Sequence, residues 1–249
     1  MTDQLPVLVI EHEAQCPPGW IGEWLEEAGR QLDVRRPYRG DPLPDDLRGH
    51  VGLVVLGGEM GVYDDAAYPW LSHVKTLLVE SDPAGPPVLG ICLGLQLAAV
   101  ALGGEVRVNP LGQQIGVLDI GWTEAAPGDL LLGELALREG VPAVQWNCDV
   151  VTQLPAGAVA LARTPRGELQ AARLAPHVWG VQWHPEAGVD IIAPWAEHDR
   201  DAAAARGVDL DGYVQDVADA TEALREAWRE LALRFAELVH DPSVAAGRR

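Results

Sequence analysis

Three short stretches of this chain hold residue types whose spacing suits nucleophilic chemistry. The first is Gly90-Ile91-Cys92-Leu93-Gly94-Leu95-Gln96. An apolar run from Pro87 to Ile91 leads into a turn of small residues, and an apolar helical pattern starts at once at Leu93. This is the G-x-nucleophile-x-G layout of a nucleophile elbow, with cysteine as the nucleophile. Flanking glycines suit it because the turn is tight and side chains there would meet the neighbouring strand or helix. The helix N-terminus favours an anion at the sulfur, and the Leu93 N–H points to where an oxyanion would form. The second stretch, Gly57-Gly58-Glu59-Met60-Gly61, follows another apolar run, and the Gly58 N–H is placed to complete that oxyanion hole. The third, Trp179 to Glu186, ends a strand-like segment in His184-Pro185-Glu186. A carboxylate two residues past a histidine can hold the imidazole in one tautomer, the third part of a Cys-His-acid arrangement. Each stretch alone has a plainer reading: a small core cysteine, an ordinary strand-to-helix turn, a surface turn. In this order, all at the carboxyl ends of predicted strands, they form a combination hard to obtain by accident, the parts of a Cys-His-acid nucleophilic site.

The elements that must position these residues alternate. Leu5–Ile10, a segment around Val34, Val51–Leu56 and Pro87–Ile91 read as strands, and Pro17–Ala28, Pro69–Ser81 and Leu93–Leu102 as helices. Strands alternating with helices predict a mostly parallel sheet covered on both faces, an α/β fold. After Gly104 helical patterns become scarce. Val106–Trp122, Ala143–Val151, Val159–Arg163, Leu169–Arg173 and Val178–Trp183 read as added strands, some antiparallel. In the tail, Val214, Val217, Thr221, Leu224, Trp228, Leu231, Phe235 and Leu238 fall three and four apart, the stripe of a long C-terminal helix. It suits docking on its own domain or a homodimer seam. Pro242–Arg249 reads as a frayed end.

The bulk properties set limits. A chain of 249 residues that is 48% hydrophobic can bury a large core. Its formal net charge of -19 argues against nucleic-acid backbones and anionic membranes as partners. No apolar run approaches the ~18 residues of a membrane span, and Met1–Pro6 lacks the basic start of a signal peptide. Three cysteines, Cys16, Cys92 and Cys148, with no CxxC, argue against disulfides and structural zinc and for a reducing, cytoplasmic setting. No metal or organic cofactor is indicated.

On Gly57–Met60 with Tyr63-Asp64, Tyr68-Pro69-Trp70-Leu71, Gly90–Gln96 and Gly180–Glu186, the chain resembles the class I, triad-type glutamine amidotransferases. It is most similar to free-standing members related to the glutaminase half of GMP synthase. The resemblance covers about Leu5 to Glu186. It implies a flavodoxin-like glutaminase domain over 1–190, with 191–249 a helical extension packed on it or used in dimerisation. It implies that Cys92 attacks the glutamine carboxamide, His184 moves the proton and Glu186 orients His184. The N–H groups of Gly58 and Leu93 would hold the oxyanion, and Gln96 would contact the amino-acid end of the substrate.

One loop departs from the family. Where relatives carry His-Gly before Asp, this chain has Asn147-Cys148-Asp149. These three are expected at the substrate, with Cys148 either a packed small residue or a second reactive thiol. The change opens an alternative substrate, another γ-glutamyl peptide or amine. No GxxxxGK[ST] phosphate loop occurs, so the ammonia acceptor would require a separate synthetase subunit, or the domain acts as a stand-alone hydrolase. A catalytically silent binding module is the non-enzymatic alternative.

Overall fold

Strands β1 (Val7–Ile10), β3 (Gly52–Val55) and β4 (Val88–Ile91) are buried along their whole length in the computed structural model, which describes residues 5–80 and 85–240. Alternate residues of β1 face opposite layers. Val7 and Val9 join one apolar cluster, Leu8 and Ile10 the other. A strand buried on both faces has no polar side, so its sequence is an unbroken apolar run. With β2 (Leu32–Arg35), β9 (Val159–Arg163), β10 (Leu169–Ala175) and β11 (Val178–Val181) they form a seven-stranded sheet in the order β2-β1-β3-β4-β11-β10-β9. The five strands from β2 to β11 in that order run parallel, β10 pairs antiparallel with β11, and β9 antiparallel with β10. This is the mostly parallel α/β sheet with added antiparallel strands that the alternation predicts.

Helices α2 (Trp70–Glu80) and α3 (Leu93–Ala101) cover the face that carries Leu8 and Ile10. Helix α1 (Gly19–Glu27) and the long α6 (Leu210–Leu238) contribute to the opposite cluster. Ser81 and Pro242–Arg249, the end of one expected helix and the expected frayed end, lie outside the described residues, as do Met1–Gln4.

The segment after α3 is more divided than its sequence suggests. The extended run Val106–Trp122 breaks into β5 (Glu105–Val108) and β6 (Gln114–Asp119), with Gly112 at φ 95 between them. Ala143–Val151 breaks at Cys148 into β7 (Pro142–Asn147) and β8 (Asp149–Gln153), because β7 pairs with β6 and β8 with β5. The chain changes partner at Cys148, whose carbonyl accepts the Asn109 N–H at 2.8 Å. Beyond β11, α4 (Val189–His198) and the short α5 (Arg200–Ala205) precede α6.

On α6, Val217, Leu224, Trp228, Leu231 and Phe235 are buried in the same chain. The helix packs on α1 and on the β6–β7 ribbon. Arg225 lies over the ring of Trp20 at 4.9 Å, and Arg229 pairs with Glu27 at 3.2 Å. Asp209 caps α6, its carboxylate accepting the Gly212 N–H at 2.9 Å. No helix among the described residues is long and apolar enough to cross a membrane.

Candidate active site

Cys92 sits between β4 and α3 with φ 50 and ψ -103, and among the described residues it alone combines a side chain with positive φ. Such a conformation is costly for an L-residue and persists only where its surroundings enforce it. The two flanking glycines are part of that enforcement. A Cβ on Gly90 would lie 2.5 Å from the Gly94 carbonyl carbon, and one on Gly94 only 2.1 Å from the Val55 oxygen. The elbow thus rests directly on β3, and the Cys92 N–H is fixed to the Val181 carbonyl at 2.8 Å.

β11 runs parallel beside β4 and delivers His184 to the same edge. His184 and Cys92 meet at Gly57. A Cβ there would be 3.0 Å from His184 Cε1 and 3.7 Å from Cys92 Cβ, so a side chain at Gly57 would press on the imidazole. Glu186 Oε1 accepts from His184 Nδ1 at 2.7 Å, and both residues are buried. The turn that carries Glu186 is tied to the start of α1. Trp20 N–H donates to the Glu186 carbonyl at 3.0 Å, and the approach is so close that a Cβ on Gly19, at φ 47, would stand 2.2 Å from that oxygen.

Burial by itself would lower the His184 pKa. The charges of Glu186 and Cys92, with hydrogen bonds to both, outweigh it and raise the imidazole from 6.5 to about 10. The other two cysteines are moved away from reactivity. Burial, followed by the charge and hydrogen bond of Glu13, pushes the Cys16 thiol strongly up, and burial followed by the Asp149 charge pushes up Cys148. All three cysteines are free thiols.

Gly58 and Leu93 lie side by side; a Cβ on Gly58 would be 3.2 Å from Leu93 Cδ2. Neither backbone N–H donates a hydrogen bond within the described residues, so both stay available to an oxyanion. Gln96, buried one turn into α3, donates to the Asp149 carbonyl at 3.0 Å and to Gln182 Oε1 at 3.3 Å. Asn147 is buried, and its Nδ2 reaches Gln114 Oε1 at 3.0 Å and the Asp149 carbonyl at 3.1 Å. Cys148 is exposed. Cys92, His184, Gly58, Gln96, Asn147, Cys148 and Asp149 line one cleft of about 340 Å³. Glu186 stands behind His184, outside the lining.

The structure adds residues to which the sequence reading gives no role. Gln182 is fully buried, and its Nε2 lies 3.5 Å from Cys92 Sγ. Its signal is a polar residue directly after an apolar strand, two before His184. Glu13 and Cys16, from the loop after β1, line the cleft and bond to each other at 3.0 Å. Trp195 of α4 stands edge-on to the His184 ring at 4.8 Å.

The sequence model of the family described as Glutamine amidotransferase class-I matches residues 23–190. A GMP synthase [glutamine-hydrolyzing] of Aeropyrum pernix is 36% identical over 204 residues, 78% of this chain but 36% of that protein, so the chain matches about a third of its length. Gamma-glutamyl peptidase 5 of Arabidopsis thaliana is 26% identical over 219 residues, 84% of this chain and 82% of the peptidase. A glutamine amidotransferase of Thermotoga maritima superposes with a TM-score of 0.82 at 25% identity, covering 94% of this chain and 98% of its own. The chain belongs to the class I glutamine amidotransferase family.

Proposed function

We propose that this protein hydrolyses a γ-glutamyl amide through Cys92, His184 and Glu186, with L-glutamine as the reference substrate. The single observation that carries the reading is the strained Cys92 held beside an imidazole that Glu186 grips at 2.7 Å. Cys92 Sγ attacks the γ-carbonyl carbon, and the N–H groups of Gly58 and Leu93 receive the developing oxyanion. Such donors contribute about 3–4 kcal/mol to a barrier. The C–N bond breaks, the leaving nitrogen takes a proton from His184, and a γ-glutamyl thioester remains. Water, deprotonated by His184, then adds to the thioester, breaks the C–S bond and releases glutamate. A raised imidazole pKa suits the first role, since His184 enters the cycle carrying the proton that it must give.

Gln96, Asn147 and Asp149 hold the amino-acid end of the substrate in this reading. Residues 1–190 act as the glutaminase unit, and 191–249 brace it through α6. If ammonia is passed on, a separate synthetase receives it.

The second reading is a γ-glutamyl peptide or amine hydrolase with the same three residues. The exposed Cys148 on the cleft wall, where the family resemblance leads one to expect glycine, favours it, because a changed wall changes what fits beside the γ-glutamyl group.

The experiment is release of glutamate and ammonia from L-glutamine by the purified chain, beside Cys92→Ala. Turnover that disappears in the variant supports the reading. Equal release by both proteins overturns the role of Cys92.

A further inference from the structure

The cleft beside Cys92 is charged in one sense. Its lining includes four carboxylates, Glu13, Glu59, Asp149 and Asp199, and no lysine or arginine. None of the four takes part in an ion pair among the described residues. Two bases act at its edge: His198 on Glu13, and Arg206, outside the lining, on Cys148. Burial pushes the Glu13 and Asp149 carboxyls up, and the charges of Glu59 on Glu13 and Asp64 on Asp149 add to it; for Glu13 these outweigh the hydrogen bonds from Cys16 and the Glu59 N–H and the charge of His198.

Two further observations point the same way. Among the lining residues, the buried side-chain polar atoms left unpaired are acceptors, Gln113 Oε1 and Asn147 Oδ1, and Asn147 is 4% exposed with its Nδ2 already bonded. Trp146 and Trp195, 5.8 Å apart edge to face, also line the cleft, and Trp195 flanks His184, the side from which a leaving nitrogen departs. Indole faces attract ammonium groups.

The γ-glutamyl part of any such substrate is a net-neutral zwitterion, held at Asp149 in the reading above, so the charges of Glu13, Glu59 and Asp199 are left to discriminate between leaving groups. Resting on the hydrolase reading above, we infer that the cleft selects γ-glutamyl amides whose leaving amine carries a second, positively charged nitrogen, the γ-glutamyl derivatives of diamines or polyamines. The amide nitrogen leaves with the His184 proton as Cys92 forms the thioester, and the distal ammonium lies between Trp195 and Asp199. Water then regenerates the thiol and frees glutamate. An anionic leaving group, such as that of a γ-glutamyl dipeptide, meets carboxylates in a lining without lysine or arginine. The net charge of -19 extends the same field beyond the cleft.

The test compares kcat/KM for three amides matched in length: γ-glutamyl-diaminobutane, γ-glutamyl-butylamine and γ-glutamyl-aminobutanoate, beside L-glutamine. We expect the cation to exceed the anion by about tenfold or more at low salt, within the range that charged clefts produce. The ratio should shrink with added salt and fall in Asp199→Asn and in Glu59→Gln. An anionic substrate turned over as well as the cationic one, with glutamine hydrolysed, overturns this inference and leaves the hydrolase reading intact. Wild-type protein that turns over none of the four overturns both.

Discussion

Trp228, near the end of α6, lies against Trp183 with ring centroids 5.0 Å apart and planes inclined by 36°, and both indoles are fully buried. Trp183 immediately precedes His184, so the tail helix reaches the sheet edge that carries Cys92 and His184 through this contact, as it does through Tyr213 against Trp146 at 5.7 Å. We expect Trp228→Ala to cost about 3–5 kcal/mol and to lower Tm by roughly 10 °C. Because the cavity opens beneath Trp183, kcat should fall with it, and Trp228→Phe should recover part of both. Thermal unfolding together with steady-state turnover checks the link; a destabilised variant with unchanged kcat would cut it.

Cys92 bears backbone strain that glycine would not feel. At φ 50 and ψ -103 the cost for a residue with a side chain is about 1–3 kcal/mol, and the extra unfolded-state entropy of glycine returns about 0.5–1. Both Cys92→Ala and Cys92→Gly should be inactive, with Cys92→Gly melting about 2–4 °C higher. Equal melting temperatures would show that the elbow holds no such strain.

Glu186 and His184 make stability depend on pH. The folded imidazole pKa is raised from 6.5 to about 10, so the pair's stabilisation is complete below 6.5. It declines above that value and is gone once pH passes about 10. In Glu186→Gln this alkaline decline should flatten, and kcat/KM should drop by about 10²–10⁴-fold as the imidazole loses its orientation and its charge partner. Urea midpoints on either side of that window, with a pH–rate profile, read both effects. A Glu186→Gln enzyme with wild-type kcat/KM would remove Glu186 from the mechanism.

His12 titrates in the opposite sense. Burial lowers its pKa to about 3, and Trp70 Nε1 donates to its Nδ1 at 3.1 Å, so the folded state holds it neutral. Its share of stability is full above 6.5 and is lost as pH falls toward 3. His12→Asn keeps an acceptor for Trp70 and cannot take up the proton. It should shift the acid unfolding midpoint to lower pH; an unchanged midpoint would place the acid lability in other groups.

What depends on near neighbours in the chain is legible in the order of the residues. The alternation of apolar runs with helical patterns fixed the parallel sheet, because burial on both faces forbids polar residues in β1, β3 and β4. Cys92 could be singled out because strand, tight turn and helix follow one another within Gly90–Gln96, and the contact of His184 with Glu186 spans only two positions. The tail stripe likewise announced a helix, since its spacing is a property of one segment. Tertiary structure alone decided which strand neighbours which, and hence that β11 sets Gln182 and His184 beside an elbow some ninety positions earlier. It split the run 143–151 at Cys148, because β7 and β8 find different partners. It seated α6 on α1 and on the β6–β7 ribbon, and it gathered Glu13, Glu59, Asp149 and Asp199 from four separate segments into one wall. The reason is the same in each case: periodicity records how strongly a residue prefers burial or exposure, but the partner it meets is set by sheet order and packing, which no local pattern encodes.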